Sequence, residues 1–166
     1  MTLEEYNNDY YPNLIKKYKD LYLSLFIYTN SGFFDINHSL RNDGFSEHVP
    51  NIDKAIELYS DGIKKYGLDR PMVLYRHIYL DGFKNKYKEM VKSGIFSDKG
   101  YMSTSLIRWQ CHDRILLEIR TNTLTIGANL TKISEYSNEQ EFLLKRGLSF
   151  EIVDKSKQKK IILEYK

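Results

Sequence analysis

The chain has 166 residues, with 25 Lys and Arg against 22 Asp and Glu and a formal net charge of +3. That length suits one domain with a sizeable core, and so small a charge makes no case for nucleic acid, which a concentrated basic patch would announce. The single cysteine, Cys111, excludes an internal disulfide and a Cys-based zinc site, while no apolar run nears the ~20 residues that cross a bilayer.

Leu14, Ile15, Tyr18, Leu21, Tyr22, Leu25 and Phe26 recur at helical spacing and predict a first helix that stops at Asn30-Ser31-Gly32. A second, short helix is expected to carry Phe33, Phe34, Ile36, Asn37 and Leu40 and to end near Asn42-Asp43-Gly44. A third begins at Pro50-Asn51, with Ile52, Ala55, Ile56, Tyr59 and Ile63 on one face and Gly67 closing it. After Pro71 the pattern changes to short apolar runs bounded by turn residues. Strands are predicted at Met72–Tyr75, Tyr101–Ser105, Ile115–Arg120, Leu124–Ile126, Glu141–Leu144, Leu148–Val153 and Ile161–Tyr165, with one helical segment over Lys84–Val91. The lysine-rich 155–160 stretch reads as a solvated hairpin turn. Helices first and strands afterwards predict an α+β fold, one unit over 1–166 that is helical over 1–70 and mainly strands over 71–166. The 14 tyrosines are expected mostly in the core with their hydroxyls wet or bonded, and Cys111 as a lone buried thiol. The acidic opening Met1-Thr2-Leu3-Glu4-Glu5 carries no basic-then-apolar secretory signal.

A Gly-rich dinucleotide fingerprint, a phosphate loop and a zinc helix of the His-Glu-x-x-His kind are all absent from the sequence. Its four histidines show no ligand spacing, so no metal is expected. Asn37-His38-Ser39 and Asn129-Leu130-Thr131 match the glycosylation sequon, a pattern short enough to arise by chance.

Three features carry chemistry. Arg76 follows the strand Val73-Leu74-Tyr75, where a guanidinium can grip a phosphate or carboxylate with two parallel bonds. Ser103-Thr104-Ser105 ends a strand, and alternation puts the Ser103 and Ser105 hydroxyls on the face opposite Thr104. Glu139-Gln140-Glu141 precedes Phe142-Leu143-Leu144; read as the start of a strand, it points both carboxylates to one cleft and Gln140 away.

In this order the three segments resemble the Arg, Ser-Thr-Ser, Glu-x-Glu set of the toxin-type mono-ADP-ribosyltransferases, which include the actin-modifying binary toxins and the clostridial Rho-modifying exoenzymes. The stretch from Tyr28 to Arg41 is similar to that family's helix ending in Asn-x-x-Leu-Arg. The resemblance implies helices packed on two small, roughly perpendicular sheets, with NAD held in the cleft between them and no metal. It implies that Arg76 grips the NAD phosphates, that Arg41 adds a second phosphate contact, and that Asn37 and Tyr28 stand beside the nicotinamide mononucleotide half. Ser103 would hydrogen-bond the catalytic Glu141, with Thr104 and Ser105 structural. Glu139 would hold the acceptor, an arginine of a target protein, and Tyr136 would touch that protein. On the loop after Ser105, Trp109 and Arg114 are the candidates for clamping nicotinamide and phosphate, with Arg108 competing. Phe33 and His77 depart from the family, which often has a hydroxylated aromatic and a second arginine there. The implied partner is actin or a host bacterial protein, met by a monomer in a cytoplasm without nucleic acid or membrane insertion. NAD hydrolysis to water and an inactive binding module are the alternatives.

Overall fold

A computed structural model describes residues 1–110, 114–157 and 159–165; Cys111 and His112 lie outside the described residues. The amino-terminal half is a helical path with two widened turns. It runs from α1 (Leu3–Glu5), capped by a reciprocal Thr2–Glu5 capping box, through a π turn at Tyr6–Tyr10 into α2 (Tyr11–Lys17). Tyr18 breaks the helix with φ −100° and ψ 86° before α3 (Lys19–Ile27). The expected apolar stripe therefore does not include Tyr18, which is 49% exposed.

The stop expected at Asn30-Ser31-Gly32 does not occur. The chain passes from α3 through a π turn at Tyr28–Gly32 directly into α4 (Phe33–Arg41), with the Phe33 amide donating to the Tyr28 carbonyl. Gly32 has φ −77° rather than the left-handed conformation of a helix stop. Its missing Cβ serves close packing instead, because an added methyl would lie 2.9 Å from the Ile27 carbonyl oxygen. The next stop is made as expected, with Asp43 at φ 56° ending α4. α5 (Val49–Lys65) then buries Ile52, Ala55, Ile56, Tyr59 and Ile63 on its apolar face, and Gly67 closes it at φ +64°.

The second half is β1 (Met72–Tyr79), α6 (Leu80–Ser93), β2 (Ile95–Ser97), β3 (Met102–Ser105), β4 (Arg114–Thr121), β5 (Gly127–Asn129), β6 (Glu141–Leu144), β7 (Ser149–Lys157) and β8 (Lys160–Glu164). The helical run 84–91 widens into α6, and β2 has no counterpart in the sequence reading. The run Leu124–Ile126 is not a strand; its neighbours Gly127–Asn129 pair with β6 instead. Hydrogen bonding links the eight strands of the described residues in the order β2-β7-β8-β4-β1-β3-β6-β5, mixed because β4 and β8 run parallel. The two separate sheets that the resemblance implies are here one hydrogen-bonded sheet, narrowed by a pinch. β1 pairs with β4 over its whole length but meets β3 only at Tyr75–Ser105, so a five-strand group and a three-strand group join at one residue pair.

The core is rich in tyrosine, and each fully buried ring finds a partner for its hydroxyl. Tyr6 donates to the Tyr59 carbonyl at 2.8 Å, Tyr11 to the Ala55 carbonyl at 2.8 Å and Tyr59 to Asn7 Oδ1 at 2.8 Å. Tyr101 donates to Asp53 Oδ1 at 2.6 Å, and Tyr28 accepts from Asn37 Nδ2 at 2.8 Å. Those of Tyr6, Tyr11 and Tyr59 tie α5 to the first helical segments, that of Tyr101 ties it to the residue before β3, and that of Tyr28 joins the second π turn to α4. Asn37 and Asn129, the two sequon asparagines, are both buried.

The three-strand group is packed to backbone contact at its edge. A Cβ on Gly127 would sit 2.3 Å from the Leu143 carbonyl oxygen and 2.6 Å from the Phe142 ring, and backbone cannot swing aside as a surface side chain can. Gly127→Ala should lower stability by about 1–3 kcal/mol in chemical denaturation, the usual range for forced overpacking.

Candidate active site

The cleft opens where the ladder between β1 and β3 lapses. Immediately past the Tyr75–Ser105 pair, Arg76 reaches across the gap, and its Nη1 donates to the Ser103 carbonyl at 2.6 Å. Burial pulls its guanidinium below the ordinary arginine range, while Tyr28, Asp98 and Glu141 push the other way. An arginine so placed remains a cation at any working pH.

Glu141 opens β6 opposite Ser105 and is 6% exposed. The Ser103 hydroxyl donates to its Oε2 at 2.5 Å, whereas its Oε1 is buried with no hydrogen-bond partner among the described residues. Burial pushes its pKa up to about 7; the Ser103 hydrogen bond opposes that, the Glu139 charge adds to it and Arg76 opposes it. A buried carboxylate oxygen left unbonded costs free energy until a donor arrives. The site therefore favours a ligand that brings a hydroxyl or amide to that atom.

Glu139 does not belong to the strand, contrary to the sequence reading. It ends a 3-10 turn (Ser137–Glu139), and Gln140 then takes the left-handed conformation at φ 45° and ψ 56°, uncommon for a non-glycine residue. β6 itself is buried at all four positions rather than alternating, because it lies between β3 and β5 with Tyr59 of α5 packed edge-on against Phe142. Both carboxylates still line one cavity, brought there by the kink at Gln140.

That cavity has two lobes that share Arg76, Ser103 and Glu139. One, of about 390 Å³, is walled by Tyr28, Thr29 and Asn30 of the π turn, Phe33 and Asn37 of α4, Tyr136 and Glu141. The other, of about 520 Å³, includes Tyr75, His77, Trp109, Gln110, Arg114 and Asn138. Burial and the charges of Arg114 and Arg108 hold the His77 pKa below its ordinary value. Arg114 also hydrogen-bonds the Tyr79 hydroxyl and stacks 4.0 Å from that ring's centre.

The hydroxyls of the Ser-Thr-Ser segment are each spent on a different neighbour. Thr104 donates to the Phe142 carbonyl at 2.6 Å across the β3–β6 pair. Ser105 donates to the Glu139 carbonyl at 2.7 Å and accepts from the Ile107 amide at 3.1 Å and the Trp109 indole at 3.3 Å. Ser105 thus joins the loop carrying Trp109 to the turn carrying Glu139.

Asn37 is buried, donating to Tyr28 and accepting the Tyr101 amide at 2.9 Å. That contact exists because Gly100 has no side chain: a Cβ there would lie 2.7 Å from Asn37 Oδ1. Burial raises the Tyr28 pKa well above its usual value, so the phenol is neutral. Arg41 lines neither lobe and is paired with Asp98, its Nε and Nη2 donating at 2.9 and 2.8 Å. Sequence reasoning missed Asp98, as well as Thr29, Asn30 and Asn138. The only local trace of Asp98 is its turn, Ser97-Asp98-Lys99-Gly100, in which Oδ1 accepts the Gly100 amide at 2.9 Å.

The described structure is similar to HopU1 of Pseudomonas syringae pv. Tomato, with TM-score 0.70 and 16% identity over 97% of this chain and 84% of that one. It is similar to an ADP-ribosyltransferase from Clostridium botulinum, with TM-score 0.64 and 20% identity over 99% and 97% of the two chains. It also matches exoenzyme S from Pseudomonas aeruginosa, solved with Carba-NAD and human 14-3-3 protein beta, with TM-score 0.60 and 21% identity over 87% and 72%. At such identities these likenesses establish the fold. A search of curated protein sequences gives no significant match. The model of the ADP-ribosyltransferase exoenzymes matches residues 4–166, nearly the whole chain, and the chain belongs to that family.

Proposed function

We propose that this chain is an NAD-dependent mono-ADP-ribosyltransferase that modifies an arginine of a target protein. The observation that carries the reading is the unpartnered Oε1 of Glu141, buried in a cleft beside the Arg76 cation. Sugar hydroxyls can supply the missing donor and a pyrophosphate can neutralise the arginine, and NAD brings both.

In this reading the bond between ribose C1′ and nicotinamide breaks, and nicotinamide leaves neutral with the electron pair. Positive charge spreads over C1′ and the ring oxygen. Ionised Glu141 accepts a hydrogen bond from a ribose hydroxyl and stabilises that charge, as carboxylates do in glycoside cleavage. Ser103 fixes the carboxylate's rotation by holding Oε2. A guanidinium nitrogen of the acceptor then forms the new bond to C1′ and gives up one proton, which Glu139 receives. A carboxylate suits this acceptor because it can hold a guanidinium by two parallel bonds. Arg76 and Arg41 serve the phosphates, Asn37 and Tyr28 the nucleotide wall, and Trp109 and Arg114 the loop side. Tyr136, 45% exposed, faces the target protein beside Glu139. The chain works as one catalytic unit, as a monomer in a cytoplasm, on actin or a bacterial protein.

Glu141→Gln should fold and bind NAD yet lose both transfer and NAD hydrolysis by about 100- to 1000-fold, the usual cost of one preorganised electrostatic contact. Label transfer from radioactive NAD to lysate proteins, together with released ADP-ribose, measures both; near-normal transfer refutes the assignment. Glu139→Gln should separate the two activities, depressing arginine transfer by at least about tenfold more than hydrolysis, because water needs no bidentate anion. Equal losses would remove Glu139 from the acceptor side.

The raised pKa of Glu141 also predicts a stability signature. The folded chain prefers the protonated acid, so the stabilisation is complete below the ordinary value of 4.5 and is lost as pH rises through about 7. Glu141→Gln, which never ionises, should therefore gain on the wild type between those values. At pH 8 its advantage should reach at most about 3 kcal/mol, shrinking toward pH 4.5. Thermal unfolding at several pH values reads this directly.

A further inference from the structure

We propose that Asp98 is a positioning residue for the nucleotide phosphates, holding Arg41 so that one edge of its guanidinium is presented to a pyrophosphate. The inference deepens the NAD-binding reading above and rests on it.

The geometry turns on which edge of the guanidinium is used. Asp98 takes the side edge, with Nε donating to Oδ1 at 2.9 Å and Nη2 to Oδ2 at 2.8 Å. A guanidinium has five N–H donors in a rigid plane, so this pairing consumes two of them. Nη1 and the remaining hydrogen of Nη2, which form the end edge, make no hydrogen bond among the described residues. That edge can take a phosphate by two parallel bonds while the side edge stays anchored. The carboxylate is well suited to fix it. Asp98 is buried, and its Oδ1 also accepts the Gly100 amide at 2.9 Å, so the anchor is itself held by the turn that leads into β3 and Ser103.

Two further contacts fasten α4 and the turn that follows it to the same segment. Asn37, one helical turn before Arg41, accepts the Tyr101 amide, and Lys99 donates to Asp43 at 3.0 Å. α4 and the strand carrying Ser103 are thereby held in register along residues 98–101. Arg41 and Asp98 both act on the charge state of Arg76, so the three groups share one electrostatic neighbourhood. The Asp98 charge partly offsets the repulsion between the two arginines before a ligand arrives.

The test is calorimetric binding of ADP-ribose, which carries the pyrophosphate and cannot turn over, to the full chain and to Asp98→Asn, Arg41→Ala and the double variant. Asparagine keeps an oxygen for the Gly100 amide and removes the charge. Asp98→Asn should weaken ADP-ribose binding about tenfold, in the range of a lost charge-assisted contact. Arg41→Ala should weaken it at least as much, and the double variant no further than Arg41→Ala alone. Turnover of NAD at saturation by Asp98→Asn should stay within about twofold of wild type while KM rises, since the chemistry at Glu141 is untouched. Wild-type affinity in Asp98→Asn with weakened Arg41→Ala would overturn the positioning role and leave the phosphate role of Arg41 standing. Additive losses in the double variant would also overturn it, because Asp98 would then act through the turn and not through Arg41. Wild-type affinity in Arg41→Ala would sink the phosphate reading of Arg41 and this inference with it.

Discussion

A half-satisfied acid out of water is the constraint around which this molecule is arranged. Keeping Glu141 buried with a single hydrogen bond is unfavourable by itself, and the surrounding elements act together to hold it so. Ser103 binds one oxygen, the other is buried with no partner among the described residues, and Arg76 supplies a compensating cation. The rigidity comes from further out. Thr104 and Ser105 lock β3 to β6 and to the Glu139 turn, and Tyr59 braces Phe142 from α5.

The tyrosine-rich helical half does more than cover the sheet. Its buried hydroxyls reach backbone carbonyls and the Asn7 side-chain amide on other elements, which converts a generic apolar layer into one with a fixed orientation. Tyr101 illustrates the chain of dependence. Its hydroxyl is held by Asp53, which Arg146 also binds, and its ring stands edge-on to Tyr28 in the cleft wall. Its backbone amide meets Asn37, so one residue couples α5, the strand ends and the cleft wall.

How much of this was legible in the sequence depended on the range of the forces involved. α5 was readable because its apolar residues recur every three or four positions and its closing glycine needs a left-handed φ. β2 was missed because a three-residue edge strand leaves almost no pattern. The strand predicted at Leu124–Ile126 falls one step early, because the paired backbone belongs to the small residues Gly127 and Ala128, which show no apolar pattern and pack closely on β6. Arg76, Ser103 and Glu141 stand out by residue type and place in a strand, their roles come from the family likeness, and they meet in space. The Glu139–Glu141 pair was read correctly as two acids facing one cleft but for the wrong reason, because a left-handed Gln140 does what strand alternation was expected to do. Asp98 stayed hidden because its partner is 57 residues away, beyond any local pattern.

The π turn at Tyr28–Gly32 has a consequence for how the helical half tolerates change. A widened turn stores one surplus residue, and each residue of helix advances the azimuth by about 100°. Asn37 and Arg41 both lie downstream of it, so the phase of the entire α4 segment is set by that surplus. Losing a single residue between Tyr28 and Gly32 would let the backbone relax to ordinary pitch and rotate α4 away from the 98–101 turn. Sequence length in this short stretch is therefore a restraint in its own right, beside the identities of the residues that wall the cleft.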